Sequence, residues 1–475
     1  MSGLLIRDAE VEGVRTDVRI EDGRVLAIGS GLAARRGEES IEAAGGALLP
    51  GLHDHHLHLL SWAAALASVP CGPPAVRNER ALATALRAAS ARAARSAAAA
   101  GPAFVRGVGY HESVAGPLDR ARLDSLAPGA AVRIQHRSGA LWMLSSAACG
   151  RIGLDAGADA PGVERDASGR ATGRLFRLDA WLRERLGDAA LPDLAPVGAA
   201  LTRFGVSGVT DATPDLEPAA LDALARAAGS GALPQRIVLL GADPAAAAGF
   251  AVGPEKLVLD ERALPPPAAF AERVREAHAR GSKVAVHCVT RAELVLALVA
   301  FEEAGVALGD RIEHASVAPP ELVSWIARLG LAVVTQPGFV RTRGDDYLRE
   351  VEARDRPWLQ RCAGFAAAGV ALGAGTDAPF GDPDPWLAMQ AAVDRRTAAG
   401  ATLGPGEALS PERALALFTT AAESPGGAPR RILPGVRADL CLLDRPWSRA
   451  RGALESEAVV ATLVGGSVLW ERSSD

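Results

Sequence analysis

The middle of the chain alternates between short apolar runs and longer segments rich in Ala, Leu, Glu and Arg. The runs have the pattern of strands buried on both faces, and segments such as PAAFAERVREAHARG have helical composition. Strands that alternate with helices predict βαβ units and a parallel sheet. The runs are ALLPGLHDHHLHLL, GVSGVTDAT, RIVLLGA, KLVLDE, KVAVHCV, RIEHASV, LAVVTQPG and VALGAGTDAP. These eight strands match the number in a closed (β/α)8 TIM barrel.

Both ends of the chain instead show short alternating strands joined by turns. DVRIEDGRVLAIG turns at its Asp-Gly pair near the start, and AVVATLVGGSVLWE turns at its Gly-Gly pair near the end. We predict an α/β protein with a composite β-sandwich from residues 1–50 and 405–475 and a TIM-barrel domain over 51–404. Residues from about 70–200 fit the repeat poorly, which predicts an insertion after the first barrel strand. Its piece RALATALRAASARAARSAAAAG is predicted to be helical.

The composition excludes several classes of protein. Among 475 residues, 51 Lys and Arg face 56 Asp and Glu, with no basic block of the kind that binds nucleic acid. Five widely spaced cysteines without a CxxC pair argue against a disulfide framework and favour a reducing compartment. The start lacks a basic and apolar leader, and no apolar run approaches the ~18 residues of a membrane span. We expect a soluble, cytoplasmic protein that acts on a small molecule, with a homo-oligomer left open.

Four of the nine histidines stand in one six-residue segment. The segment is His53-Asp54-His55-His56-Leu57-His58. Alternate residues of a strand share a face, so the last two histidines can hold one metal ion at the carboxyl end, the active-site face of a barrel. The first two fall on the other face, where packing or support of a ligand is favoured. An adventitious metal patch on a surface loop is the less favoured alternative for the segment.

Three more polar residues stand where an apolar run ends. His287 closes KVAVH, His314 closes RIEH, and Asp377 closes ALGAGTD. Imidazole and carboxylate groups are ligands of zinc and similar ions, and a catalytic site leaves one position open for water. Together with His56 and His58 they supply more ligands than one tetrahedral ion needs. The sequence therefore predicts either two ions or a ligand that also acts as a base.

Lysine occurs at only two positions, Lys256 and Lys283, while arginine supplies every other basic residue among the 51. Because arginine does nearly every surface cationic task, a retained lysine favours amine chemistry, for which arginine is too strong a base. Lys256 opens KLVLD, and Asp260 shares its face of the strand. No role is assigned to Lys283.

The ordered set of motifs resembles the amidohydrolase superfamily, specifically the branch called amidohydrolase family 3, and is similar to its N-substituted formamide deformylases. IEAAGGALLPGLHDHHLHLL is followed by FVRGVGYHES, RIQHRSGALWMLSSAA, RDASGRATGRL, KLVLD, VAVHC, RIEHAS, GAGTDAPF, PWLAMQAAVDRR, LSPERALALFTTAA and PGVRADLCLLD. The resemblance covers almost the whole chain. It implies a TIM barrel with a composite β-sandwich from both termini.

The resemblance also implies a centre of two divalent metal ions, commonly zinc. The implied ligands are His56, His58, Lys256, His287, His314 and Asp377. On that template the HxH pair, His56 and His58, holds one ion together with Asp377. The other ion is held by His287 and His314. The lysine, carboxylated by carbon dioxide, bridges the two ions.

Two loops depart from the family's pattern. Val289 and Thr290 stand where the family often has Gly-Asp, and Glu261 follows Asp260 where glycine is usual. Thr376 replaces the serine before the final aspartate. These departures affect the expected substrate class more than the expected metal binding.

We predict hydrolysis of a non-peptide C–N bond, amide or formamide-like, by a hydroxide formed from metal-bound water. Asp377 is the predicted proton shuttle from the attacking water to the leaving nitrogen. His136 in HRSGALW is a catalytic candidate that would bind the oxyanion, with a structural role equally open. Trp142 and Tyr110 are favoured as core residues over pocket residues, and Gln336 and Arg341 are weaker pocket candidates.

Two alternatives stay open. The same ligands would serve a cyclic amide or lactone hydrolase or a deaminase, because loops rather than ligands choose the substrate. A metal-dependent isomerase, lyase or binding protein would keep the fold without hydrolysis, although the intact ligand set argues against lost catalysis. The absence of GxSxG disfavours serine catalysis, and neither lysine lies in a GxxxxGK[ST] loop for nucleotide.

Overall fold

The chain folds into two compact units. The computed structural model describes residues 3–96, 104–187, 191–243, 245–247 and 249–472. Met1–Leu59 and Leu194–Asp475 form the first unit, and Leu60–Asp193 form the second. Each unit has its own sheets and hydrophobic clusters.

Strands and helices alternate through most of the chain. The strands are β1 (Leu4–Val11), β2 (Val14–Glu21), β3 (Arg24–Gly29), β4 (Glu39–Glu42), β5 (Leu48–Pro50), β6 (Leu52–Leu57), β7 (Val69–Pro70), β8 (Val105–Tyr110), β9 (Val132–His136), β10 (Leu141–Leu144), β11 (Val163–Arg165), β12 (Ala171–Phe176), β13 (Val206–Asp211), β14 (Arg236–Leu239), β15 (Ala251–Val252), β16 (Glu255–Val258), β17 (Val284–Cys288), β18 (Arg311–His314), β19 (Ala332–Thr335), β20 (Leu372–Ala374), β21 (Leu440–Leu443), β22 (Val459–Val464) and β23 (Ser467–Glu471). The helices are α1 (Leu59–Leu66), α2 (Glu79–Ser96), α3 (Arg120–Leu126), α4 (Ser146–Arg151), α5 (Asp179–Leu186), α6 (Ala195–Arg203), α7 (Pro218–Gly229), α8 (Pro267–Ala279), α9 (Arg291–Ala304), α10 (Pro320–Leu329), α11 (Gly338–Glu350), α12 (Ala363–Ala367), α13 (Pro385–Asp394), α14 (Pro411–Thr419) and α15 (Trp447–Ala450).

Two parallel sheets form the middle of the first unit. Their strand orders are β15-β14-β13-β6 and β16-β17-β18-β19-β20. β6, β13 and β18 are buried along their whole length, as expected for parallel strands covered on both faces. The predicted α/β pattern is therefore present, with each of the apolar runs of the sequence contributing a strand.

The two parallel sheets do not join into one ladder within the described ranges. Isolated backbone hydrogen bonds cross the two seams. At the first seam the Gly241 amide donates to the Pro254 carbonyl at 2.9 Å. At the second seam the Asp377 amide donates to the His56 carbonyl at 2.7 Å, and the His58 amide donates to the Ala378 carbonyl at 2.9 Å. The predicted closed barrel is not seen as a continuous sheet because β15 and β20 have only two and three residues and end before a ladder can form.

Strands from both ends of the chain form two further sheets in the first unit. Their orders are β3-β2-β1-β4 and β23-β22-β21-β5, so β5 from the start pairs antiparallel with β21 near the end. One hydrophobic cluster contains Leu4 and Ile6 together with Leu440 and Leu463. Burial of this shared cluster ties the two termini into one unit.

The second unit has a six-stranded sheet in the order β11-β12-β10-β9-β8-β7, which the sequence analysis did not predict. Helix α2 supplies Leu82 and Leu86 to a cluster with Ile134 and Met143 of the sheet. This helix covers the predicted helical segment up to Ser96, and the last residues of that segment, 97–101, lie outside the described residues. Within the described part of the chain, every helix is too short or too polar to cross a bilayer.

Candidate metal centre

The polar residues predicted at strand ends of the first unit lie together. His56 is the second-last residue of β6, and His58 directly follows that strand. His287 lies in β17, His314 ends β18, and Asp377 follows β20. Because the carboxyl ends of parallel strands meet at one edge, side chains from these elements converge there.

His56, His58 and Asp377 form the tightest group of possible ligands. One ligand atom from each lies within 4.8 Å of the others. The Nε2 atoms of His56 and His58 are 3.7 Å and 3.3 Å from Asp377 Oδ1. Atoms that bind one zinc ion at about 2.0–2.2 Å lie roughly 3–4 Å apart, so this group has the spacing of a metal site.

His314 connects this group to His287. The ring centroid of His314 is 4.7 Å from that of His56 and 4.4 Å from that of His287. Strand alternation would place His314 opposite its neighbour Glu313, but the backbone at His314 has a φ of +71°. This left-handed conformation, which Asp377 also adopts with a φ of +56°, is uncommon outside glycine and lets the side chain turn into the site.

Lys256 lies in β16, in register with Ala285 and Arg311 of the neighbouring strands. Its side-chain amine is buried and has no hydrogen-bond partner. Burial lowers the pKa of Lys256, while the carboxylates of Glu313 and Asp377 oppose that shift. The neutral form of the amine is therefore favoured more than at an exposed lysine.

Three buried polar atoms in this cluster have no hydrogen-bond partner: Lys256 Nζ, His314 Nε2 and Asp377 Oδ1. Unpartnered buried polar atoms are few in native proteins, and each calls for a ligand, an ion or water. An imidazole nitrogen and a carboxylate oxygen are common ligands of divalent metals, and a lysine becomes one once it is carboxylated. The donor set therefore fits a metal centre, while the individual ligand assignments stay a prediction.

The three imidazoles of this cluster that have a resolved Nδ1 contact each meet a different type of side chain. The pairs are His56 with Glu313, His58 with Thr213, and His314 with Gln336. The second and third pairs measure 3.0 Å and 2.7 Å. Contacts at Nδ1 orient the rings and leave each Nε2 directed into the site.

Asp54 ties the end of β6 to the segment that carries Asp377. Its carboxylate accepts hydrogen bonds from the His56 amide at 3.0 Å, the Thr376 amide at 3.1 Å and the Thr376 hydroxyl at 2.5 Å. Burial raises the pKa of Asp54 to about 7, although these hydrogen bonds oppose the shift. The threonine in the family's serine position keeps this hydroxyl contact.

Sequence reasoning missed Glu313 and Thr213. Glu313 precedes His314 in the fully buried strand β18, and a buried carboxylate requires a partner. That requirement could have identified Glu313 from the sequence RIEH. Thr213 lies in the loop after β13, and no feature of the sequence distinguishes it.

His53 and His55 have partners of their own. His53 Nε2 is 2.9 Å from the Thr210 hydroxyl, and His55 Nε2 is 2.8 Å from the Thr420 hydroxyl. Both side chains are buried, and burial lowers the pKa of His55 to about 3. These contacts support the interpretation of both histidines as neutral packing residues.

His136 lies in the second unit. Its Nε2 is 3.0 Å from a Glu112 carboxylate oxygen and its Nδ1 is 2.8 Å from the Ser138 hydroxyl. Both ring nitrogens therefore have partners within that unit, and its catalytic role stays a prediction. Trp142 and Tyr110 are buried in the hydrophobic clusters of the same unit, which supports their interpretation as core residues.

Comparison with known proteins gives a consistent set of relatives. A sequence model of the amidohydrolase family matches residues 39–470. An N-substituted formamide deformylase from Arthrobacter pascens is 27% identical in an alignment that covers 96% of this chain and 95% of the relative. A metal-dependent hydrolase from Pyrococcus horikoshii OT3 has a TM-score of 0.69 at 20% identity, covering 94% of this chain and 98% of that one. An atrazine chlorohydrolase from Arthrobacter aurescens TC1, solved with zinc, has a TM-score of 0.54 at 15% identity, covering 98% of this chain and 95% of that one.

Proposed function

Because the chain belongs to the amidohydrolase family, we propose that its histidine cluster binds two divalent metal ions and hydrolyses an amide or formamide-like bond. As a member of this family, the chain is a hydrolase of carbon–nitrogen bonds other than peptide bonds. One observation carries the proposal. Buried polar atoms of Lys256, His314 and Asp377 lie beside His56 and His58 and have no hydrogen-bond partner. Bound metal ions would satisfy them.

The proposed ligands are His56, His58, Lys256, His287, His314 and Asp377. The HxH pair and the aspartate are assigned to one ion, and the two later histidines are assigned to the other. The lysine is assigned to both ions as a carbamate. The lowered pKa of Lys256 supports this modification, because only a neutral amine forms the bond to the carbon of carbon dioxide and releases its proton.

Bound divalent ions would lower the pKa of water and polarise the scissile carbonyl. The chain itself contributes a buried carboxylate, Asp377, whose Oδ1 lacks a hydrogen-bond partner and lies 3.3 Å from His58 Nε2. We infer that this carboxylate accepts a proton from the attacking water and delivers it to the leaving nitrogen. The Nδ1 contacts of His56 and His314 hold these rings in place during the reaction.

An exposed valine supports a substrate with an apolar substituent. Val258 of β16 is the register partner of His287 in β17, so the two side chains share a face of the sheet. Val258 remains 38% exposed, which leaves apolar surface beside the proposed centre. The Arthrobacter pascens relative is named for N-substituted formamides, and we propose an N-substituted amide or formamide for this chain.

We also infer that the two parallel sheets are parts of one (β/α)8 barrel and that the sheets of the two termini form a β-sandwich. The backbone hydrogen bonds at the two seams support a closed arrangement. The fold shared with the Pyrococcus horikoshii hydrolase supports a TIM-barrel type of α/β structure. The domain limits predicted from the sequence are kept with this proposal.

Metal analysis and a substrate screen test the function together. The chain is loaded with zinc in bicarbonate buffer and dialysed, and we expect two zinc ions per chain by mass spectrometry. Formamides, acetamides and cyclic amides with alkyl, aryl or carboxylate substituents are then assayed for release of amine. We expect fastest turnover with the acyclic amides that carry alkyl or aryl groups. A chain that retains no zinc contradicts the metal centre, and preference for cyclic amides contradicts the substrate class.

A further inference from the structure

Glu313 differs from the other two Nδ1 partners in the site because it carries a full negative charge. One of its carboxylate oxygens contacts His56 Nδ1, and the other accepts a hydrogen bond from Arg311 Nε at 2.5 Å. Arg311 and Glu313 are two residues apart on β18 and both are buried. By contrast, His314 meets the neutral amide oxygen of Gln336 and His58 meets the Thr213 hydroxyl.

The charge of the acceptor changes what the imidazole offers to a metal. A carboxylate at Nδ1 fixes the proton on that nitrogen, orients the ring and makes Nε2 a more basic ligand. Hydrogen bonds to ionised groups are also stronger than those to neutral groups. His56 is therefore the imidazole of this cluster best prepared to bind a cation through Nε2.

We propose that Glu313 is a positioning residue, and that its contact with His56 makes the metal position formed by His56, His58 and Asp377 the tighter of two. This inference rests on the proposed function, because it requires two bound ions. The second position, assigned to His287 and His314, has a neutral amide behind one imidazole and releases its ion first.

A purely structural role is the competing explanation for Glu313. The carboxylate could serve only to neutralise Arg311, which bonds it through Nε and whose Nη2 has no hydrogen-bond partner. Removing it would then weaken the fold and both metal positions alike. A decisive experiment must therefore measure the two ions separately.

The test is stepwise removal of zinc from the loaded enzyme by a chelator, with zinc per chain measured by mass spectrometry. In the wild-type protein we expect one ion to leave at a lower chelator concentration than the other. Glu313→Gln should lower the affinity of the tighter ion by roughly 10–100-fold and leave the weaker ion unchanged. Cobalt-loaded protein should show the same selectivity in its visible absorption.

The reciprocal variant is Gln336→Glu, which places a carboxylate behind His314 and leaves Arg311 and Glu313 intact. We expect the weaker ion to be released later in this variant. Equal release of both ions by Glu313→Gln, or loss of both together, would overturn the proposal. If Glu313→Gln does not fold, an unchanged release profile in Gln336→Glu would overturn it instead. Wild-type protein without zinc would reject the metal centre itself, which is a different result.

Discussion

Lys256 and Lys283, the two lysines of the chain, stand in opposite environments. The amine of Lys256 is buried without a hydrogen-bond partner, whereas Lys283 is exposed directly before β17. We expect Lys256→Ala to lose bound metal and at least about 100-fold in turnover, because no carbamate can form. Small carboxylic acids should restore part of the activity by replacing the bridging carboxylate. Zinc content and amine release measure both effects.

Two matched variants control this experiment. Lys283→Ala should retain zinc and turnover, since that side chain has no part in the cluster. Lys256→Arg should be as inactive as Lys256→Ala, because a guanidinium group stays protonated and does not react with carbon dioxide. Full activity in either Lys256 variant would remove the bridging role.

Substitution of Asp377 tests its proposed role as the proton shuttle. We expect Asp377→Asn to keep much of its metal, because the amide oxygen occupies the same position beside His58. Turnover should fall by about 100-fold or more, since an amide does not accept the proton of the attacking water. Zinc analysis and steady-state kinetics on the same preparation separate the two effects, and unchanged turnover would reject the shuttle.

At the residue scale, the sequence predicts those site residues that end an apolar strand. His287, His314 and Asp377 are of this kind, and the structure brings them to one cluster with the HxH pair. The partners of Glu313 and Thr213 could not be predicted, because each partner is a ring nitrogen that lies far away in the sequence. Only the fold brings such pairs within hydrogen-bond distance.

Among the elements, the close approach between the segment after β20 and the strand β6 is sensitive to substitution. A Cβ atom at Gly375 would lie 2.5 Å from the backbone nitrogen and the Cβ of His56. We expect Gly375→Ala to lower the free energy of unfolding by about 1–3 kcal/mol, because rigid backbone must move apart. The same displacement should weaken zinc binding at His56. Urea unfolding and zinc analysis measure these changes.

Gly229→Ala provides the control for that variant. A Cβ atom at Gly229, the last residue of α7, would have no neighbour within 4 Å. We expect its stability to equal or slightly exceed that of the wild-type protein, since alanine favours a helix over glycine. A Gly375→Ala protein as stable as this control would show that the seam tolerates a wider spacing.

Element prediction from the sequence succeeded for the buried parallel strands and for helix α2, but it missed the six-stranded sheet of the second unit. Strands of the first kind are continuous apolar runs, so composition alone identifies them. Strands of the six-stranded sheet instead include Arg106, Arg133 and Arg174. The guanidinium of Arg133 lies over the ring of Trp142 at 5.5 Å, so the aliphatic part of this side chain covers apolar surface. In the sequence, however, a charged residue interrupts the apolar pattern by which a strand is identified.

For the whole molecule, the terminal strands are expected to be indispensable. A chain that ends before residue 433 would lack β21–β23 and expose the cluster of Leu4, Ile6 and their neighbours. We expect this truncated chain to unfold or aggregate rather than to lose a separable domain, because β5 loses its only antiparallel partner among the described residues. Circular dichroism and the yield of dispersed protein measure the outcome.

A chain that ends at Arg472, directly after β23, is the control for the truncation. It keeps every strand of the terminal sheets and should match the full-length protein in its unfolding temperature. A truncated chain that retains a cooperative transition and bound zinc would show that the middle of the chain folds without the terminal sheets.

The pairing of β5 with β21 also has a consequence for biosynthesis. β5 directly precedes the strand that carries His56, yet its partner is made about 390 residues later. At about 5–20 residues per second, a ribosome needs roughly 20–80 s to supply that partner. His56 and His58 therefore leave the ribosome long before the sheet that pairs with β5 is complete, and β5 keeps an unpaired edge for most of translation.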